Sequence, residues 1–219
     1  MNIQKLKEIN LLRTIALWLR YKREKGSFFR GSNNTIKNKG CKVATRIQIQ
    51  GFYNNLIIEN NTVVYDSLIR INGKNNKVIL HSKAYLRGAE LYIEGDNCII
   101  EIGSNTYIGH HSHLACTEGC KLKIDSDCML SSYVQIRTGD SHSIINMEGD
   151  RINPAANINI GKHCWIGEGV KLLKGVNLSH NTVVSTGAIV TKSFEQNVLI
   201  GGIPAKIIKE NINWDEKRL

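Results

Sequence analysis

Residues 160–191 read IGKHCWIGEGVKLLKGVNLSHNTVVSTGAIVT, and within them an aliphatic residue returns at every sixth position. Ile160, Ile166, Leu172, Leu178, Val184 and Val190 hold that phase without a gap, and Cys164, Val170, Val176, Thr182 and Ala188 stand two residues before five of them. An amphipathic helix would repeat its apolar face at 3.6 residues, and a sandwich strand would alternate without a fixed longer period. A period of six, with one aliphatic residue and one small or β-branched neighbour, fits a solenoid of short strands. Three such strands make a triangular coil. One side chain per face points inward and stacks on its counterpart in the next coil, roughly 4.8 Å away. The small residue sits near a corner, where a larger one would not fit.

Upstream the same grammar runs at a longer interval. Gly51, Gly73 and Gly95 are 22 apart, as are Ile58, Leu80, Ile102 and Ile124, and again Val64, Leu86, Ile108 and Leu130. Asn and Gly fill the turns, in Asn54-Asn55, Gly73-Lys74-Asn75-Asn76 and Gly95-Asp96-Asn97. This unit reads as three six-residue faces with about four turn residues at one corner. The expected domain runs over 43–208 and is broken by an excursion at 139–157, where the period lapses. Long excursions from a regular scaffold are where function concentrates. Spacing does not set the hand, because a 22-residue coil suits a left-handed or a right-handed β-helix.

The flanks differ in character. Residues 1–42 hold 11 of the 29 basic and two of the 19 acidic residues, so they carry +9 of the net +10 and the body is close to neutral. That excludes a basic nucleic-acid platform. Leu6, Ile9, Leu12, Ile15, Ala16 and Leu19 recur at three and four between Lys and Arg, which predicts an N-terminal α-helix over 1–25. Three roles fit it: packing on its own trimer or domain, lying on an anionic membrane surface, or docking to a partner protein. Residues 26–42 read as a linker or a first irregular coil, and 209–219 as a charged tail. Aromatic residues are only 6 % and prolines only 2, so the core is expected to be aliphatic and β-branched, suiting narrow β layers. No apolar run reaches the roughly 18 residues of a membrane span, and no signal-peptide cleavage pattern is evident. The six cysteines form no CxxC pair. The expectation is a cytoplasmic chain with reduced thiols, free or peripheral at the inner membrane face.

Three stretches carry a resemblance: Ile160-Gly161-Lys162-His163-Cys164-Trp165-Ile166-Gly167, Thr186-Gly187-Ala188-Ile189-Val190-Thr191-Lys192 and Gly201-Gly202-Ile203-Pro204-Ala205-Lys206. Over about residues 50–208 the chain resembles the hexapeptide-repeat acyltransferases. The resemblance implies a left-handed parallel β-helix, a homotrimer with sites at subunit interfaces, and acetyl-CoA as cosubstrate without a metal. The run Ile136-Arg137-Thr138-Gly139-Asp140-Ser141-His142, followed by Trp165-Ile166-Gly167, is similar to the polysaccharide and sialic-acid O-acetyltransferases of bacterial surface glycans. By that likeness His142 is the general base and Trp165 lines the coenzyme or acceptor site. Asp140 is the candidate to orient the imidazole. Backbone groups at Gly167, Gly187 and Ala188 would meet the pantetheine amides, and Lys192 and Lys206 the phosphates. His111, His113 and Arg137 are candidates to line the acceptor groove, for a glycan or a nucleotide sugar.

Rival readings stay open at this point. They are N-acetylation of an amino sugar or a small molecule, a silent scaffold or glycan-binding module, and a zinc-dependent hydratase. For the last, His110, His111 and His113 are the candidate ligands. Adjacent strand residues point to opposite faces, and no carboxylate is placed to orient them, so no metal is expected. Cys128 and Cys164 occupy the small inward slot and read as packing residues. Cys116 and Cys120 flank a turn with no metal-ligand pattern.

Overall fold

A short strand that sends one side chain inward must send its neighbours outward, and burial follows that rule. Asn55–Ile58, Lys77–Leu80, Ile99–Ile102 and Lys121–Ile124 all alternate half-buried and buried positions. The computed structural model describes residues 26–217. Its strands enter three sheets in rotation. Phe28–Arg30 opens an eight-stranded first face, Thr35–Asn38 a seven-stranded second face and Cys41–Val43 a nine-stranded third face. Up to Ile189–Val190, each later strand pairs in parallel with the strand three places before it, giving a triangular parallel β-solenoid.

The register keeps the aliphatic columns seen in the sequence. On the second face Ile58, Leu80, Ile102, Ile124, Ile160 and Leu178 stack in turn, each no more than 1 % exposed. Each such side chain contributes about 1.5–3 kcal/mol of burial. The interval falls to 18 beyond the excursion, as Ile160↔Leu178 shows. First-face strands shrink there from seven residues in Arg46–Phe52 to two in Lys171–Leu172.

Corners are built from polar ladders. Asn54 Nδ2 donates to the Gly73 carbonyl and its Oδ1 accepts the Asn76 N–H, and Asn76 repeats both bonds with Gly95 and Cys98. Gly73 recurs because its φ is +130° and an added Cβ would lie 2.0 Å from the Gly95 carbonyl oxygen. At the corner between the second and third faces, Thr62 and Thr106 donate to the carbonyls of His81 and Asp125 one coil on. Cys128 and Cys164 do the same, with Sγ 3.1 Å and 3.3 Å from the carbonyl oxygens of Gly161 and Ser179. The thiols replace threonine hydroxyls, as their place in the small slot implies.

Two expectations about the flanks change. The solenoid begins at Phe28 rather than 43, because Phe28–Arg30, Thr35–Asn38 and Cys41–Val43 pair with the coil above. The segment read as a linker or irregular coil is therefore a coil. There is no α-helix among the described residues, and the helix expected over 1–25 lies outside them. At the other end Val198–Gly202 and Ala205–Glu210 form an antiparallel hairpin that terminates the third face. The charged tail beyond it is docked: Trp214 is 9 % exposed and stacks on His163.

Candidate active site

The excursion leaves the first face after Gln135–Arg137 and returns at Ile158–Ile160 on the second. It folds into a small hairpin. Ile145 bridges Arg151 in antiparallel fashion, and Asn146 Oδ1 accepts the N–H groups of Glu148 and Asp150 at 3.1 Å and 2.8 Å, an Asx-type turn. Three clamps fix it to the solenoid. The Arg151 guanidinium forks onto the Glu118 carboxylate at 2.7 Å and 2.9 Å. Lys174 Nζ binds the Asp140 carboxylate and the Asn153 carbonyl. Asn153, 6 % exposed, donates from Nδ2 to Asp140 Oδ2 and the His142 carbonyl, and accepts the Ile144 N–H at Oδ1. Arg151 holds the Glu118 carboxyl below its ordinary value, and Lys174 does so for Asp140.

His142 is thus held through its backbone while its ring is exposed, with no hydrogen bond or ring contact among the described residues. A base needs such an arrangement to reach a substrate hydroxyl. The reading of Asp140 as the orienter changes. Its carboxylate is taken by Lys174 and Asn153, so it braces the excursion instead of the imidazole.

The remaining candidates separate by edge of the prism. His113 and Arg137 share a cavity of about 290 Å³ on the first face, with Glu90, Tyr92, Ala115 and Ser141. His113 pairs there with Glu90 at 3.3 Å. His111 is outside this cavity. It stands in the turn before His113–Thr117, stacked on Tyr133 at 5.0 Å. His142 follows the opposite end of the neighbouring strand Gln135–Arg137, within the excursion. His110 and His111 occupy a turn, not a strand, with rings 6.0 Å apart; the turn, rather than strand alternation, sets their directions. Among the described residues no three His, Cys, Asp or Glu side chains converge as a metal site.

The edge that carries His111 also carries Gly167, Gly187 and Ala188. The Gly187 N–H bonds to the Glu168 carbonyl and the Gly169 N–H to that of Ser132. Nothing lies within 4 Å of a Cβ built on Gly169 or Gly187, so this edge presents bare backbone. Trp165 is beside it on the third face, 39 % exposed. The two lysines do not converge. Lys192 lies over Phe194 at 5.5 Å, whereas Lys206 is on the terminal hairpin opposite Gly201.

The chain is 36 % identical over 99 residues to the polysialic acid O-acetyltransferase of Escherichia coli O1:K1 / APEC, covering 45 % of this chain and 32 % of that protein. It is 36 % identical over 109 residues to the polysialic acid O-acetyltransferase of Neisseria meningitidis, covering 49 % and 51 %. It thus spans about a third to a half of those curated relatives. The structure superposes on that of the polysialic acid O-acetyltransferase OatWY with a TM-score of 0.83 and 34 % identity, covering 88 % of this chain and 93 % of the other. The chain belongs to the hexapeptide-repeat acyltransferase family. No family model matches it. The parallel solenoid of this family member matches a left-handed β-helix, the hand that spacing left open.

Sequence reading missed the residues that fix the excursion in this hexapeptide-repeat protein. Asn153-Pro154 is a turn signal that marks the return of the loop. Glu118, Lys174 and Arg151 offer none, since their partners lie 33 or 34 residues away.

Proposed function

We propose that this chain is an acetyl-CoA-dependent O-acetyltransferase acting on a hydroxyl of a bacterial capsule glycan. The observation that carries the reading is a free imidazole on a clamped excursion, within a fold alike over nearly its whole length to a polysialic acid O-acetyltransferase. Bound acetyl-CoA would supply the acetyl group as an activated thioester. The open backbone at Gly169 and Gly187 gives an extended pantetheine arm room to lie along this edge, whereas Gly167 and Ala188 are buried beneath it. Trp165 forms a wall of that donor site, and Lys192 and Lys206 remain candidates for its phosphates. His142 removes the proton of the acceptor hydroxyl as that oxygen attacks, and returns it to the departing thiolate. His113 and Arg137 line the cavity beside Ser141 where an acceptor ring would rest.

The base and the donor edge lie at opposite ends of the first face, which favours a site shared between subunits of a homotrimer. The third face supports this. Its outward column runs Val63, Tyr85, Tyr107, Met129 and Trp165, an apolar stripe suited to a second copy, before Val183, which is buried within the chain. We place the enzyme in the cytoplasm, with the basic segment 1–25 at the anionic inner membrane surface.

The test is transfer from labelled acetyl-CoA to polysialic acid by the full chain. The expected result is polymer-bound label released by mild alkali, as an ester. No transfer, or an alkali-stable amide, would overturn the reading.

A further inference from the structure

At the corner between the second and third faces, each coil after the first places one residue in the left-handed region. Asn61, Asn105, Asp127, Asn181 and Asn197 occupy most of these positions, with φ between 55° and 61°. Short amide and carboxylate side chains tolerate that conformation because they bond locally. Here they also bond between coils: Asn105 Nδ2 donates to Asp127 Oδ1 at 3.0 Å and Asn181 Nδ2 to Asn197 Oδ1 at 2.8 Å. His163 interrupts the ladder at φ 58°. Its ring stacks on Trp214, with centroids 4.4 Å apart and planes 9° from parallel.

The contact is reinforced on both sides. Trp214 Nε1 donates to the His163 carbonyl at 2.8 Å, and His163 Nε2 donates to the Trp214 carbonyl at 3.2 Å. Just before it, the Ile212 N–H bonds to the Asn197 carbonyl, and Asn181 Nδ2 donates to the Ile212 carbonyl. Trp214 also meets Trp165, with ring centroids 5.9 Å apart and planes tilted by 42°. A charged tail has no need of so specific a dock merely to stay near the surface. Its position beside Trp165 gives the dock a use.

We propose that Trp214 is a positioning residue: docked on His163, it holds the Trp165 ring in place as the wall of the acyl-donor site. This rests on the reading of Trp165 as a donor-site residue. A ring buttressed on one side loses less freedom when a ligand settles on the other, so the buttress acts on donor binding more than on turnover.

Steady-state kinetics of full-length variants test this. Trp214→Ala is expected to raise KM for acetyl-CoA about tenfold, the equivalent of one aromatic contact, with kcat and the acceptor KM within about twofold. Trp214→Phe, which keeps a stacking ring, restores most of the donor KM. His163→Asn, which returns the corner to the residue used elsewhere, gives the same rise, and the double variant is no worse than either single one. An unchanged donor KM in Trp214→Ala, with only a lower melting temperature, overturns the proposal and leaves the tail a fastener. Trp165→Ala separates the causes. If it too leaves the donor KM unchanged, the donor-site reading has failed as well; if it raises that KM while Trp214→Ala does not, only the role of Trp214 has failed.

Discussion

His142 and Cys164 mark the two ways a polar side chain is used in this solenoid. The His142 ring is exposed and makes no hydrogen bond or ring contact among the described residues while Asn153 holds its backbone, so removing the ring should affect chemistry and not stability. His142→Ala is expected to lower kcat by about two to four decades, the usual worth of a general base. The melting curve should be unmoved, as for a surface substitution. Retained full activity would remove the mechanism. Cys164 and Cys128 are the reverse case, bonded and buried. Thr106 Oγ1 donates to the Asp125 carbonyl and accepts the Cys128 N–H; Cys128 Sγ donates to the Gly161 carbonyl and accepts the Cys164 N–H. The Cys164 thiol beside it and burial push the Cys128 thiol up, so it stays protonated and unreactive. Cys128→Thr should therefore change stability by no more than about 1 kcal/mol, whereas Cys128→Leu should cost roughly 1–3 kcal/mol by overpacking. Chemical denaturation of both variants decides it.

The excursion behaves as an element because its clamps are few and identifiable. Arg151→Ala removes the fork onto Glu118 and should release the hairpin while the coils stay intact. Hydrogen exchange checks this: the Ile144 and Ile152 amides, bonded to Asn153 Oδ1 and the Ile144 carbonyl, should lose protection while the strand amides keep theirs. Acid should act on the same clamps. Glu118 and Asp140 are held below their ordinary values of 4.5 and 3.8. A depressed carboxylate contributes fully above its unfolded value and loses that contribution as pH falls through the folded one. Docking of the hairpin should accordingly be constant at neutral pH and fade only below about 4.5. Loss of protection between pH 6 and 8 would contradict this assignment.

For the whole molecule the decisive fact is the width of the first face. The clamped histidine is at one edge, and the bare glycines with Trp165 nearby are at the other. A trimer joined through the apolar column of the third face would let one subunit's base meet another's donor edge. His142→Ala and Trp165→Ala proteins, unfolded together, refolded as mixed trimers and assayed at acetyl-CoA low enough that each alone is slow, should then recover about a quarter of the wild-type sites. No recovery would mean that one subunit supplies both residues.

Much of this was legible in the chain, and for a physical reason. A solenoid repeats one local solution, so the intervals of 22 and 18 in Ile58, Leu80, Ile102, Ile160 and Leu178 are the stacking register itself. The excursion was legible as a lapse in that period, and His142 through its place at the lapse. What surrounds His142 was not. Lys174 reaches Asp140, and Arg151 reaches Glu118, across more than 30 residues, and Trp214 reaches His163 across 51. The intervals that bring coils together say nothing about which outward side chains meet, because outward positions are free of the packing that enforces the repeat. The sequence by itself determined the scaffold and where it is interrupted. Only the tertiary structure decided that Asp140 is bonded to Lys174 and Asn153, bracing the loop, that the tail is docked on His163, and that the open glycine edge and the clamped excursion lie on different edges of the prism.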